Sequence, residues 1–360
     1  MATQKFNVGI IGYGLSAKTF HIPFINAVDD FNLYAVVQRT PRVDDDAGRD
    51  NPGIHVYRSA DELVNDKQVD LVIVTTAPES HLTLAKLALQ AKKHVVVEKP
   101  FTPTSAEARE LADLAKSQGV VLTVYQNRRL DSDFLTLKKF IDDGTLGRVV
   151  EFESHFDRHR PEPPADNWKA HHAPGTGAVY DLGTHLMDQV VHLLGMPKRI
   201  TGFVGSQRAI NTTGLEDSAT VLLHYDNQLL VTVKAGVVSP EVEQLRFWVR
   251  GEKGSFKKFH LDPQEDQLRK EGMKPGDPNF GIEQESHHAV LNTVTDGVIT
   301  SRRVPTIHPP PTYVEYYRQL AEALKDAQAP APVPVEEAVQ VIRLVELARQ
   351  SSTEGRTLDV

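Results

Sequence analysis

The chain has 360 residues, enough for two domains, and its 40% hydrophobic and 24% charged content is that of an ordinary globular protein. A net charge of −8, from 40 Lys and Arg against 48 Asp and Glu, leaves no basic footprint for nucleic acid and suits neutral, sugar-like substrates better. The absence of cysteine excludes disulfides, Cys-based zinc sites and thiol nucleophiles.

Phe6 to Ile11 is apolar and strand-like, and Gly12-x-Gly14-x-x-Ala17 follows it before a helical pattern begins. This strand–turn–helix is the arrangement that grips a dinucleotide pyrophosphate. Gly12 permits the tight turn, Gly14 removes a side chain where phosphate must meet backbone, and Ala17 lets the helix lie close on the strand. The N–H groups and positive dipole end of the helix then face the phosphates. Tyr13, Leu15 and Ser16 fill the remaining turn positions and are expected beside the cofactor. Asn32 to Gln38 is a second strand. In NAD-binding folds an acid near the end of this strand accepts hydrogen bonds from the adenine ribose. Here the end reads Gln38-Arg39-Thr40, with no acid until Asp44. Arg39 can pair with a 2′-phosphate and Thr40 can add a hydroxyl, so NADP is favoured over NAD.

Ala60 to Val64 reads as a short helix and Asp70 to Val74 as a third strand, followed by a helix from Glu79 to Lys92. Loops at strand C-termini face the ligand in open α/β sheets, which makes Thr75, Thr76, Pro78 and His81 candidate cofactor contacts. His94 to Val97 is a fourth strand ending in Glu98-Lys99-Pro100. A lysine there can hydrogen-bond a substrate oxygen and stabilise a developing alkoxide. Thr104 and Glu107 form a capping box for a helix to Gln118, Gly119 stops it, and Val120 to Tyr125 is a fifth strand. The alternation predicts a doubly wound parallel sheet over residues 1–125.

From residue 126 the pattern changes. A helix is expected over Ser132 to Asp142, then strands over Gly147 to Phe156, Arg199 to Ser206, Ser218 to His224, Gln228 to Gly236, Leu245 to Arg250 and Ser255 to His260. Asp226-Asn227 and Glu252-Lys253-Gly254 are hairpin signals. Residues 126–360 are therefore expected to form an α+β domain with a large, mostly antiparallel open sheet, closed by helices over Tyr313 to Ala327 and Val335 to Ser351. Within it, Gly175 and Gly177 precede Asp181 and His185, four apart, which share a face in a helix. A histidine beside a carboxylate is a candidate general base. No apolar run approaches a membrane span and the first residues lack a signal-peptide pattern, so cytoplasmic residence is expected.

Four stretches in this order, Gly9-Ile-Ile-Gly12-Tyr-Gly14-Leu-Ser-Ala17, Thr75-Thr76-Ala77-Pro78-Glu79-Ser80-His81, Glu98-Lys99-Pro100 and Gly175-Thr-Gly177-Ala-Val-Tyr-Asp181-Leu-Gly-Thr-His185, resemble the glucose–fructose oxidoreductase / inositol dehydrogenase / MocA (Gfo/Idh/MocA) family. The segments SAKTFHIP (16–23), VYQNRR (124–129) and HFDRHRP (155–161) look like its branch of NADP-dependent scyllo-inositol dehydrogenases. One departure is Thr176, where the family often has a third glycine. The resemblance implies that a secondary alcohol gives a hydride to nicotinamide C4. His185 would take the hydroxyl proton, Asp181 would orient the substrate and raise the basicity of His185, and Lys99 would hold the substrate oxygen. It also places Glu98, Lys99 and Asn127 near the cofactor, and Arg128, Arg158, Arg160 and Trp168, with Asn127, as candidates for gripping substrate hydroxyls.

Two other readings stand beside this one: an aldose or anhydro-sugar dehydrogenase of the same family, and a non-catalytic dinucleotide-binding regulator. Fifteen histidines raise the question of a metal. His155 and His159 fall on strand then loop, and the adjacent pairs His171-His172 and His287-His288 point apart on any regular element, so no metal is expected. The alternation in Leu229–Val233 and Arg246–Arg250 leaves one sheet face available, which predicts a homodimer or homotetramer joined there.

Overall fold

The architecture is that of a computed structural model, which describes residues 5–162, 172–211 and 213–360. The chain packs as two compact units. The first runs through Asn127 and takes in Asp266–Phe280 and Thr312–Val339; the second holds Arg128–Glu265, Gly281–Pro311 and Gln340–Val360. A single division at residue 126 is thus crossed twice by later segments.

The first unit is built on β1 (Phe6–Ile11), β2 (Phe31–Val37), β3 (His55–Tyr57), β4 (Leu71–Val74), β5 (His94–Val97) and β6 (Leu122–Val124). All are parallel, in the order β3-β2-β1-β4-β5-β6. The order reverses between β1 and β4, and ligands of such sheets bind beyond the carboxyl ends at that point. β3 adds a sixth strand to the five expected, because three residues are too few to show a periodicity. The Thr104–Glu107 capping box forms in both directions, and Gly119 ends the helix Ser105–Gln118 at φ 67°. The segment after Thr312 is bonded to this sheet: Tyr316 donates its hydroxyl to the Val124 carbonyl at 3.1 Å, and Thr123 donates to the Val333 carbonyl at 2.8 Å. Those bonds tie the later segment to β6.

Among the described residues the second unit is built on nine strands: β7 (Val149–Asp157), β8 (Arg199–Gly205), β9 (Ser218–His224), β10 (Leu230–Gly236), β11 (Leu245–Gly251), β12 (Gly254–Phe259), β13 (Ala289–Thr295), β14 (Val298–Val304) and β15 (Leu358–Asp359). Their order is β14-β13-β12-β11-β7-β10-β9-β8-β15; β7 and β10 run parallel and the other neighbouring pairs of these nine antiparallel. The β13–β14 hairpin was not expected. Its signal is Asp296-Gly297, both at positive φ (51° and 77°), the pair that a tight hairpin turn requires. One face of the sheet carries Phe152, Phe247 and Phe256, which pack with Leu186 and Val190 of the helix Thr184–Leu194 and with Leu344 and Val345.

Gly202 of β8 is held against the C-terminal helix: its N–H donates to Ser351 Oγ at 2.9 Å, and the N–H of Val204 donates to Ser352 Oγ at 2.8 Å. A methyl group on Gly202 would overlap the Ala348 carbonyl. The Gly202→Ala variant is therefore expected to lose about 1–3 kcal/mol of stability. Urea unfolding checks this; an unchanged midpoint would mean that the helix can shift away at no cost.

Candidate active site

In the first unit, Gly12 sits at φ 106° where β1 turns, and Thr75 Oγ1 donates to the carbonyls of Ile11 (3.1 Å) and Gly12 (3.2 Å). Only glycine takes that backbone without strain, and Thr75 ties it to the end of β4. Gly14 has open space where a Cβ would project. Ala17 is fully buried. The helix opens with one wide turn, a π-helix over Ala17–His21. A turn with a bare, accessible backbone at a helix N-terminus fits a pyrophosphate. Leu15 is exposed, Ser16 is half-buried, and Thr76 Oγ1 and Ser80 Oγ bond each other at 2.6 Å beside the buried Pro78.

A cavity of about 820 Å³ opens along these carboxyl ends, lined among others by Gly12, Tyr13, Arg39, Thr40 and Thr76. Arg39 and Thr40 are exposed, whereas the side-chain amide of the buried Gln38 is engaged by the loop, donating to the Asp45 carbonyl at 2.7 Å and accepting from the Ala47 N–H at 2.8 Å. The residue that ends β2 thus pins the following loop. Tyr13 donates its hydroxyl to Asp50 at 3.1 Å; burial and the Asp50 carboxylate push its phenol up to about 12.

The Lys99–Pro100 peptide is cis. Just before it, the buried Glu98 collects three donors: Ser16 Oγ, His21 Nε2 at 3.1 Å and the backbone N–H of Lys99 at 2.9 Å. His21 Nδ1 meets the Tyr317 hydroxyl at 2.6 Å. Burial pushes the Glu98 carboxyl up, but His21, Ser16 and the charge of Lys99 outweigh it and hold the group at about 2. Glu98 is therefore directed at protein donors, and its reach toward a cofactor runs through Ser16. His81 is likewise turned inward, with Nδ1 3.0 Å from the Pro100 carbonyl and Nε2 3.0 Å from the Thr76 carbonyl. It braces the two loops rather than facing outward as a cofactor contact. Asn127 is buried in a short 3₁₀ turn.

In the second unit, Asp181 lies in another π-turn, Val179–Gly183, and His185 in the helix that follows. Gly177, at φ 105°, leads into the turn; a side chain there would overlap the Glu216 carboxylate. His185 is buried and Asp181 is half-buried. The helix is anchored by an ion pair and by hydrogen bonds: Asp188 accepts two from Arg129 (2.7 and 2.6 Å), and Gln189 accepts from Arg246 and donates to the Arg128 carbonyl, both at 2.7 Å. Arg158 and Arg128 flank the Phe156 ring, 5.0 and 4.7 Å from its centroid. Burial pushes the Arg158 guanidinium down, and the nearby Asp181 carboxylate offsets part of that. Arg128 is buried and held by Asp131 (3.2 Å) and Glu265, so it supports the site's frame instead of offering a loose cation. Arg160 is exposed on the strand end, and Trp168 lies outside the described residues.

Residues 6–126 match the Gfo/Idh/MocA model described as the oxidoreductase family's NAD-binding Rossmann fold, and residues 138–360 match its C-terminal alpha/beta domain. The chain belongs to the Gfo/Idh/MocA oxidoreductase family. It is 38% identical over 356 residues to scyllo-inositol 2-dehydrogenase (NADP(+)) IolW of Bacillus subtilis (strain 168), covering 99% of this chain and 96% of that protein. It is 39% identical over 357 residues to the uncharacterized oxidoreductase YdgJ of Escherichia coli (strain K12), covering 99% of each. The solved structure of the Bacillus subtilis oxidoreductase yvaA is similar at a TM-score of 0.93 and 36% identity, covering 100% of this chain and 99% of that one.

This Gfo/Idh/MocA chain thus has an NAD(P)-binding Rossmann domain, and several of its supporting residues lay beyond the sequence reading. His21 and Tyr317 are 296 positions apart, and Asp188 and Arg129 are 59 apart. Glu98 gives the site an acid dependence with a definite sign. Its folded-state value lies below the ordinary 4.5, so its contribution to stability is complete above that pH and is lost as pH falls toward 2. Glu98→Gln is expected to lose stability less steeply than the parent between about pH 5 and 3. Denaturant titrations at each pH check this, and parallel slopes would contradict it.

Proposed function

We propose that this protein is an NADP-dependent dehydrogenase of a cyclic polyol, of the scyllo-inositol type. The observation that carries the reading is the full set of Lys99, Asp181 and His185 in the order seen for the family, on a chain similar along nearly its whole length to IolW. Arg39 and Thr40 at the cavity beyond β2, with no acid on the strand end, support NADP.

When bound, the nicotinamide supplies the hydride acceptor, or the donor in the reverse direction. The chain's residues handle charge and protons. Lys99 donates to the substrate oxygen and lowers the cost of the negative charge that grows there. His185 accepts the hydroxyl proton, and Asp181 orients the substrate and favours the imidazolium that results. Ketone reduction uses the same groups as acids. Arg158, set by Phe156 beside Asp181, is a hydroxyl-gripping cation, and Arg160 and Asn127 are weaker candidates. Gly12 to Ala17 carry the pyrophosphate, with Thr75 bracing the turn. A regulator with no chemistry has no use for a proton acceptor at His185.

The test is reduced-nicotinamide absorbance with inositols, aldoses and ketoses, each offered with NADP and NAD. Turnover of scyllo-inositol with NADP is expected. Lys99→Ala and His185→Ala are each expected to lower kcat by about 100-fold or more with nucleotide affinity little changed. Turnover close to the parent's removes that residue from the scheme, and turnover only on aldoses selects the sugar dehydrogenase instead.

Assembly is part of the same proposal. The sheet face opposite the core presents a row across five strands, Thr201, Leu222, Thr232, Glu153 and Trp248, with Phe203 exposed beside it. A homodimer or homotetramer joined through this face covers it. Light scattering at micromolar concentration is expected to give a multiple of the 40.0 kDa chain, and Phe203→Glu with Trp248→Glu a smaller species. A monomeric parent would overturn this.

A further inference from the structure

The cavity beyond β2 holds a charge arrangement that the strand end alone does not show. Arg39, Arg42 and Asp45 all line it, so an acid absent from the strand end returns by way of the loop. Asp45 is fixed there. Its N–H and carbonyl bond the Arg42 carbonyl and N–H at 3.1 and 2.9 Å, and Gln38 holds the same carbonyl at 2.7 Å. A carboxylate beside the adenine ribose accepts ribose hydroxyls and repels a 2′-phosphate, which is the usual mark of NAD preference. In this chain the carboxylate is occupied. Lys18, from the first turns of the dinucleotide helix, is ion-paired to Asp45 Oδ1. Its position is prepared: the ammonium stands 4.4 Å from the centroid of the Tyr13 ring, and Asp50 and Asn51 hold the Tyr13 hydroxyl.

The neighbouring charges sharpen the point. Asp46 caps the short helix after the loop by accepting from the Arg49 N–H at 3.0 Å, and Asp50 is paired with Arg49 at 3.2 Å. With Asp45 paired to Lys18, the two arginines of the cavity, Arg39 and Arg42, are not offset by it. With Lys18 removed, Asp45 stands as an unmasked carboxylate among them. Glu79, the other carboxylate of the cavity, belongs to the segment after β4 and is common to both states.

We propose that Lys18 is a specificity-determining residue that masks Asp45 and so permits a 2′-phosphate on the ribose. The inference rests on the NADP reading and names what enforces it. In exposed surroundings such a pair adds little to stability. One unmasked charge near a phosphate still shifts affinity by about tenfold at low ionic strength.

The experiment is calorimetric titration of the full-length protein with adenosine 2′,5′-bisphosphate and with 5′-AMP, which needs no turnover. The parent is expected to prefer the bisphosphate. Lys18→Met is expected to cut that preference about tenfold while AMP binds as before, Lys18→Arg to keep it, and Lys18→Met with Asp45→Asn to restore it. A preference that survives in Lys18→Met overturns the masking role and leaves the NADP reading standing. A preference lost in Lys18→Met and not restored by Asp45→Asn also overturns it, since Lys18 would then act on the phosphate directly. A parent with no preference, or one for AMP, overturns both.

Discussion

One buried carboxylate organises the first unit. Glu98 stands at the end of β5 with almost no solvent, and a charge in that position persists only if donors surround it. The donors come from separate places: Ser16 from the glycine-rich turn, His21 from the following π-turn and the N–H of Lys99 from its own strand end. A carboxylate has only acceptors to offer, so each of these groups must present a hydrogen to it. Tyr317 completes the arrangement by bonding the other nitrogen of His21. The turn that would hold the nucleotide and the lysine that would meet the substrate are therefore placed by the same charge, and neither can shift without leaving part of Glu98 unpaired.

The second unit applies the same rule to a helix. Asp188, Gln189 and His185 lie on one short helix, and the first two fix it through Arg129 and Arg246, both buried. Breaking one partner of a buried pair leaves an uncompensated charge, which costs far more than the pair itself contributes. Such a helix is held in register by penalty rather than by strength. The loop before it is fitted to its neighbours: Gly177 gives its side-chain space to Glu216, and the N–H of Asp181 returns to the Gly177 carbonyl at 2.9 Å. Glu216 is in turn paired with Arg349, whose guanidinium stands 5.4 Å from the centroid of the Tyr180 ring.

What the sequence disclosed and what it withheld divide along these lines. The glycine turn, the capping box and most strands were legible because each is a local requirement of backbone or periodicity. Short β3 and the β13–β14 hairpin were not, the first for want of length, the second because its residues alternate only weakly and Asp296-Gly297 was the single clear mark. Of the candidate site residues, Arg39 lines the cavity beyond β2 and Thr75 bonds the glycine turn. Arg128, Glu98 and His81 proved to be inward-facing supports. A string names a charged side chain but not its partner, and several of these partners, such as His21 for Glu98 and Glu265 for Arg128, are distant in sequence.

Gln38 shows how such partnerships alter a functional reading. The absence of an acid at the end of β2 is a local fact, and it favours NADP. Yet Gln38 uses its amide to hold the loop that brings Asp45 back to the same cavity, so the local fact is incomplete. In the proposed masking, what counts is the net charge around this cavity, from Arg39, Arg42, Asp45 and a lysine of the helix after the glycine turn. On the proposed reading, nucleotide preference follows from a fixed loop and its counter-ion more than from the residue type at one strand end.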